Sequence, residues 1–184
     1  MNASPNSRMN VANASSVRPA RRDLPHAEEA RANGTTAGCT CFRVRRLARR
    51  VTQIYDRVLA PSGIRVTQFS LLSVLARSRA EAGANQGAMA IGPLAAVLDM
   101  DRTTLTRNLK PLIDAGLVSL VQSKRDTRQR EASLTAKGCR RYEDAKKLWR
   151  RAQDEMNRTL GMAQVASLHK LFDGLLETLN EDAA

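Results

Sequence analysis

Residues 90–138, AIGPLAAVLDMDRTTLTRNLKPLIDAGLVSLVQSKRDTRQREASLTAKG, decide how the whole chain reads. They spell two short helices, the second with a basic, hydroxyl-rich outer face, followed by two strands joined by a basic loop. In the second helix Asp101 stands at the N-cap, where a carboxylate accepts from the free amides of the first turn. Leu105, Leu109, Leu112 and Ile113 recur at i, i+4, i+7 and i+8 and make one apolar stripe. Thr103, Thr106, Arg107 and Lys110 take the opposite face, also at helical spacing. Pro111 removes one helical hydrogen bond and is expected to bend or loosen the last turns. Asp114-Ala115-Gly116 supplies the stop, with the glycine at the left-handed C′ position. In the helix before it, Ile91, Leu94, Ala95 and Leu98 share a face, and Pro93 sits in the first turn, where a missing amide costs little. Only Asp99-Met100 joins the two helices. So tight a connection makes them cross steeply, which is the helix-turn-helix geometry.

After Gly116, LVSLV and REASL look like strands of about five residues bounded by a polar loop. That loop, QSKRDTRQ (122–129), holds Lys124, Arg125, Asp126 and Arg128, and Arg130 opens the return strand. Residues 101–130 contain seven cations (Arg102, Arg107, Lys110, Lys124, Arg125, Arg128, Arg130) against three acids (Asp101, Asp114, Asp126), a balance of +4. A hairpin this basic beside an exposed helix places arginine on a duplex backbone or in a narrow minor groove, where negative potential concentrates. Asp126 is expected to pair with Arg128 or Arg130 and hold the loop's shape. A solvated basic hairpin without a partner is the bland alternative, but it leaves the ordered sequence of helix pair and wing unexplained. A major groove about 12 Å wide admits one helix. Arg107 then forks onto a guanine edge, Asn108 pairs with an adenine, and the methyls of Thr103, Thr104 and Thr106 touch thymine. Arg102 and Lys110, nearer the helix ends, reach phosphate, as do Lys124, Arg125, Arg128 and Arg130 of the wing.

The run LAAVLDMDRTTLTRNLKPLIDAGLV, the Asp126-x-Arg128 wing, and Leu134-Thr135 with Gly138 together resemble the MarR family of bacterial transcription regulators. The resemblance spans about residues 39–180, and the wing followed by Leu-Thr-x-x-Gly is its most specific part. It departs at Thr127, where many relatives carry a second arginine, which implies a weaker grip by the wing. The resemblance implies a winged-helix homodimer that represses promoters and lets go when a small molecule or an oxidant acts on it.

The chain's 184 residues fit one domain with a tail, or two small domains. A formal net charge of +12 favours a polyanionic partner. No apolar run approaches the ~18 residues of a membrane span, so no membrane partner is expected. Three cysteines do not make a disulfide framework and suit a reducing cytoplasm. Residues 1–38, rich in Ala, Asn, Ser, Arg and Pro, bury too little to offset their ordering entropy and are expected to be a disordered tail. Residues 41–60 spell a helix in which Val44, Leu47, Val51, Ile54 and Val58 make a seam for another helix. Arg43, Arg45, Arg46, Arg49, Arg50 and Arg57 surround that seam. They would also suit a membrane surface, but the regular seam favours dimerisation. After Pro61-Ser62-Gly63, Thr67 is expected to cap a second helix carrying Gln68, Leu71, Leu72 and Leu75, flanked by Phe69 and Val74; residues 77–89 are expected to be a surface loop.

From Thr135 the chain is helical again. Tyr142, Ala145, Trp149, Ala152 and Met156 form one seam, and Val165, Leu168, Phe172, Leu175 and Leu179 form a second beyond Gly161. Both are expected to need a partner, most simply a second copy under two-fold symmetry. The fold expected is mainly α with a small β-hairpin wing. Residues 1–38 are the tail, 39–61 a dimerisation helix, 62–138 the winged helix-turn-helix, and 139–184 a C-terminal helical dimerisation region.

Two switches are open. Cys39-x-Cys41 followed by Phe42 is similar to the hydroperoxide-sensing branch of the family, although Val66 and Phe69 stand where that branch carries tyrosines. A helix N-terminus with Arg43 and Arg45 nearby lowers a thiol pKa; the alternative is cysteines packed at the dimer interface. The other switch, resting on family analogy, is a phenolic or aromatic acid lined by Tyr55, Phe69 and Leu72, with Arg46 or Arg49 as anion partner. Cys-x-Cys offers a metal two ligands, and His26 and His169 lie elsewhere, so no metal and no cofactor are expected. No phosphate loop, Ser/His/Asp arrangement or carboxylate pair points to an enzyme. The expected function is a homodimeric, sequence-specific DNA-binding regulator, in the sense of a repressor, on a pseudo-palindromic operator and released by a small molecule such as a phenolic or aromatic acid; the alternative is a thiol-based oxidant sensor of the same fold using Cys41 or Cys39. A non-specific architectural DNA binder is the remote alternative.

Overall fold

Helix α1 (Thr40–Leu59) begins what a computed structural model describes: residues 38–82, 87–123, 126 and 128–181. The expected tail, Gly38 apart, and the wing cations Lys124 and Arg125 lie outside the described residues, as does Thr127. Residues 38–44 lead into α1 and make its first turn; residues 45–181 belong to one unit with a single core. In that unit the C-terminal half of α1 buries Tyr55 and Leu59. A short 3-10 turn, Ala60–Ser62, follows and ends at Gly63 with φ 68°, the left-handed conformation glycine adopts without a Cβ penalty. Buried Ser62 is satisfied on both sides: its hydroxyl donates to the Leu59 carbonyl at 2.6 Å and accepts from the Ile64 amide at 3.3 Å.

Helix α2 (Val66–Ala82) starts one residue before the expected cap, Thr67, which lies within its first turn. The first amide is capped from a distance: Asp56 of α1 accepts from the Val66 N–H at 2.7 Å, and Gln68 accepts from Arg65 N–H at 3.0 Å. The helix also runs further than expected, to Ala82. Residues 77–89 are therefore not all loop, and their last residue opens strand β1 (Met89–Ala90).

Helices α3 (Ile91–Val97) and α4 (Arg102–Asp114) are the expected pair. Asp99 makes the tight turn between them possible by adopting φ 49°, while the Met100 amide bonds back to Ala95 at 2.9 Å. Helix α4 continues through Pro111 and stops in a Schellman motif. Gly116, φ 67°, donates to Ile113 at 2.8 Å and Leu117 donates to Leu112 at 2.8 Å, with both leucines buried.

Strands β2 (Val118–Gln122) and β3 (Arg130–Leu134) form the wing, antiparallel from Val118 opposite Leu134 to Gln122 opposite Arg130. Strand β1 pairs with the other edge of β3, Met89 opposite Ala132, giving the order β1-β3-β2. Helix α5 (Ala136–Leu160) is capped by Thr135, whose hydroxyl accepts from the Gly138 N–H at 3.0 Å and donates to the Gly116 carbonyl at 2.7 Å. Gly138 leaves no room for a side chain: a Cβ there would lie 2.0 Å from the Leu117 carbonyl oxygen.

The seam of α5 does not wait for a partner. Ala145, Ala152 and Met156 are buried within the subunit, and Phe69 of α2 lies stacked on both Tyr142 and Trp149 at 5.6 Å between centroids. On helix α6 (Met162–Glu181) the second seam is largely open: Phe172, Leu175 and Leu179 are exposed, with Val165 and Leu168 half-buried. The architecture is thus a mainly helical winged helix-turn-helix with a small antiparallel sheet.

Candidate nucleic-acid interface

Helix α4 is held by its ends and by its inner face. At the start, Asp101 accepts from the Thr104 amide at 2.8 Å and from the Thr104 hydroxyl at 2.6 Å. Those two bonds, the hydroxyl's first, hold the Asp101 carboxyl below its ordinary 3.8. Inside, Leu105, Leu109 and Leu112 are buried. Outside, Arg102, Thr103, Thr104, Thr106, Arg107 and Lys110 are exposed, and Asn108 is half-buried.

These outer side chains are not equally available. Thr106 donates to the Arg102 carbonyl at 2.7 Å and Asn108 donates to the Thr104 carbonyl at 3.0 Å, each back-bonded one turn along its own helix. Lys110 pairs with Asp114 at 2.9 Å. Among the described residues, Arg102, Thr103 and Arg107 have no side-chain partner, so their donors face outward without an internal competitor. A groove of about 890 Å³ runs between α3, α4 and the wing. Ile91, Pro93 and Leu120 give it apolar walls, and Arg102, Lys110, Arg128 and Arg130 make its cationic edges.

The wing loop is shaped by Asp126, though not through an arginine head-group as expected. Its carboxylate accepts from the Arg128 backbone N–H at 2.9 Å and from the Gln129 side chain at 3.0 Å. The Gln129 amide also donates to the Asp126 carbonyl, and the Gln129 carbonyl accepts from Ser123, both at 2.9 Å. An aspartate binding its own backbone two residues on needs no ion pair to make a turn. Arg128 in the loop and Arg130 at the start of β3 are both exposed, and the turn is made by the Arg128 backbone and not by its guanidinium. Gln129 was missed because its role is set by the turn; the Asx-turn habit of Asp126 was the signal available.

The remaining predicted sites lie elsewhere. Arg46 and Arg49 are exposed on α1. Tyr55 is buried, donates its hydroxyl to Gln153 at 2.7 Å, and has its pKa raised by that burial. Phe69 is enclosed by its two ring partners and Leu72 is fully buried. The supposed effector lining is therefore packed core in this structure. Cys39 and Cys41 are exposed, and Cys139 is half-buried. Among the described residues, no group of three or more His, Cys, Asp or Glu side chains is placed to hold a metal, and no single helix is long and apolar enough to cross a membrane.

No family model matches the sequence, and no curated protein matches it. Solved structures do. The regulator MosR of M. tuberculosis, crystallised with DNA, is 35% identical, with a TM-score of 0.58 over 74% of this chain and 98% of that one. MarR of E. coli, as a cysteine-to-serine mutant complexed with operator DNA, is 25% identical, with a TM-score of 0.61 over 72% of this chain and 90% of MarR. The chain belongs to the MarR family of transcriptional regulators. A third member, the repressor CouR bound to a 23-mer duplex, is 25% identical, with a TM-score of 0.65 over 78% of this chain and 96% of CouR. The Leu134-Thr135-x-x-Gly138 signature of this MarR-family chain has a plain physical basis. Leu134 fills the core, Thr135 caps α5, and Gly138 admits the backbone at Leu117.

Proposed function

We propose that this MarR-family chain is a homodimeric, sequence-specific DNA-binding repressor and not an enzyme. The observation that carries the reading is the outer face of α4, where Arg102, Thr103 and Arg107, without a side-chain partner among the described residues, sit beside a cationic wing while both helix ends are fixed. Arg107 reads a base edge, and Thr103 and Thr104 contribute apolar contact. Arg102, Lys110, Arg128 and Arg130, with Lys124 and Arg125, hold phosphate. Residues 62–138 form the DNA-binding part; residues 39–61 and the C-terminal helix form the dimer contact. Its place of work is the cytoplasm, with the DNA. The MosR, MarR and CouR complexes with DNA support this reading by analogy.

The test is a gel-shift on the DNA upstream of the chain's own gene, at two salt concentrations and with unrelated duplex as competitor. A retarded band that resists competitor and weakens steeply with salt is the expected result. Equal binding to every duplex would make the chain an architectural binder.

For the switch, the exposure of both N-terminal thiols favours an oxidant over an aromatic acid, since Tyr55, Phe69 and Leu72 are already packed against protein. A hydroperoxide oxidises the Cys41 or Cys39 thiolate to a sulfenic acid and is itself reduced to an alcohol. Wild-type protein is then released from the operator by hydroperoxide and rebinds after dithiothreitol, whereas the Cys39→Ser/Cys41→Ser chain stays bound. Release of that double variant by a phenolic acid would restore the ligand reading.

A further inference from the structure

We infer that the arginine surface of α1, continued by one turn of α5, is a second polyanion site: it binds the phosphate backbone of duplex DNA, whatever its sequence, apart from α4 and the wing. The inference goes beyond the operator reading and stands on different residues.

Residues 39–61 hold six arginines against Asp56, a balance of +5, which exceeds the +4 of residues 101–130. Four of the six fall in the run Arg45-Arg46-Leu47-Ala48-Arg49-Arg50, about 7.5 Å of helix. At helical spacing Arg45 and Arg49 stand opposite the seam of Leu47, Val51 and Ile54, and Arg46 and Arg50 stand between the two sides. All four are exposed. Among the described residues Arg45, Arg46 and Arg49 have no side-chain partner, and Arg50 reaches Gln53 at 3.5 Å.

This crowding works against the helix. Arg45 and Arg49, Arg46 and Arg49, and Arg46 and Arg50 are like charges three or four residues apart, and such neighbours repel. No acid lies within one turn of the run. Elsewhere the same chain sets an acid three or four residues from a cation, as in Arg77 with Glu81, Lys110 with Asp114 and Lys147 with Asp144. On α1 the compensating anion has to come from outside. Every cation in residues 39–61 is an arginine, whose planar fork matches phosphate where lysine offers only a point charge.

Helix α5 extends the surface. Arg57, on the same side of α1 as Arg46 and Arg50, pairs with Glu155 and fixes where the two helices meet. Arg151 and Arg158 lie one turn to either side of Glu155, exposed and without a side-chain partner among the described residues. Both line a cleft of about 520 Å³. Duplex DNA carries one charge per ~1.7 Å of axis, so guanidiniums spread over two helices meet several phosphates at once. A membrane surface suits them less. An interfacial helix inserts its apolar face, and here Val51, Ile54 and Val58 are packed against the subunit's own core.

The experiment titrates the full chain against a short fluorescent duplex of scrambled sequence, by anisotropy at several salt concentrations. Arg45→Gln/Arg49→Gln and Arg151→Gln/Arg158→Gln are each expected to bind at least threefold more weakly and to lower the salt slope by about 1–2, at about 0.9 per phosphate contact. The melting temperature of the first variant is expected to hold or rise, because like-charge neighbours are removed. Both variants are expected to dimerise as wild type does in sedimentation equilibrium. The same losses are expected in an Arg107→Ala/Lys110→Ala background, which separates this surface from the reading helix. Beads carrying one duplex then tell the two sources of phosphate apart. Capture of a second, labelled duplex by wild type places the surface on another DNA molecule, and no capture places it on the flank of the same one. Variants that keep wild-type affinity and slope overturn the inference and leave the operator reading intact. So does a variant whose dimer weakens in step with its DNA binding, which makes these arginines a subunit contact, and so does one that loses only its binding to phosphatidylserine vesicles. A wild type that binds no duplex at all overturns both readings.

Discussion

Asp101 sets the pitch of everything α4 displays, because it fixes two donors of the first turn at once. Its lowered pKa gives the effect a sign. A carboxylate favoured in the folded state adds stability above its unfolded value, and that stability is lost as pH falls through the lower folded value. Acid unfolding of wild type is therefore expected to steepen below pH 3.8, and the Asp101→Asn chain is expected to lack that steepening while being less stable at pH 7. Circular dichroism across a pH series reads both. Arg107 and Lys110, three residues apart, are expected to separate two kinds of contact. Arg107→Ala is expected to cost about 1–3 kcal/mol at one base position and relax preference there. Lys110→Ala is expected to weaken all sequences alike and lower the salt slope by about 1. The ion pair with Asp114 is exposed, so exchanging it for a phosphate is expected to cost little. Titration of single-base operator variants at several salt concentrations distinguishes the two residues, and uniform losses from both would remove the division of roles.

Among the elements, the close approach of α5 to the start of the wing is the least forgiving joint. Gly138→Ala puts a methyl against the Leu117 carbonyl, and the backbone must shift to admit it. Overpacking of this kind costs about 1–3 kcal/mol, which urea denaturation measures. The same elements show which parts of the molecule the sequence makes legible. Asp101, the leucine stripe and Gly116 were readable because cap, periodicity and stop are local features spanning a few turns. The hydroxyl and guanidinium face of α4 was readable for the same reason. Strand β1 was not, since two residues become a strand only through pairing with Met89's distant partner, Ala132. Nor was the start of α2, whose cap is Asp56 across a turn, or the place of Phe69. Periodicity locates an apolar face but not what covers it. The α5 seam looked like a dimer contact until α2 laid Phe69 between Tyr142 and Trp149. The same limit made Tyr55, Phe69 and Leu72 look like a ligand lining.

At the scale of the whole molecule, the proposed two-fold pair of these chains would read one face of the duplex. Successive major grooves lie about 34 Å apart, so footprinting is expected to give two protected half-sites one helical turn apart on a pseudo-palindrome. A single uninterrupted half-site would contradict the paired arrangement. Thr135 then acquires a mechanical meaning. Its one hydroxyl ties the carbonyl just past the end of α4 to the first turn of α5, beside the Lys137 ammonium on the Ala115 carbonyl and the Thr135 amide on Leu117. Thr135→Val keeps the volume and removes both bonds, so the reading helix loses its tether to the long helix behind the wing, and urea denaturation is expected to show a loss of about 0.5–2 kcal/mol.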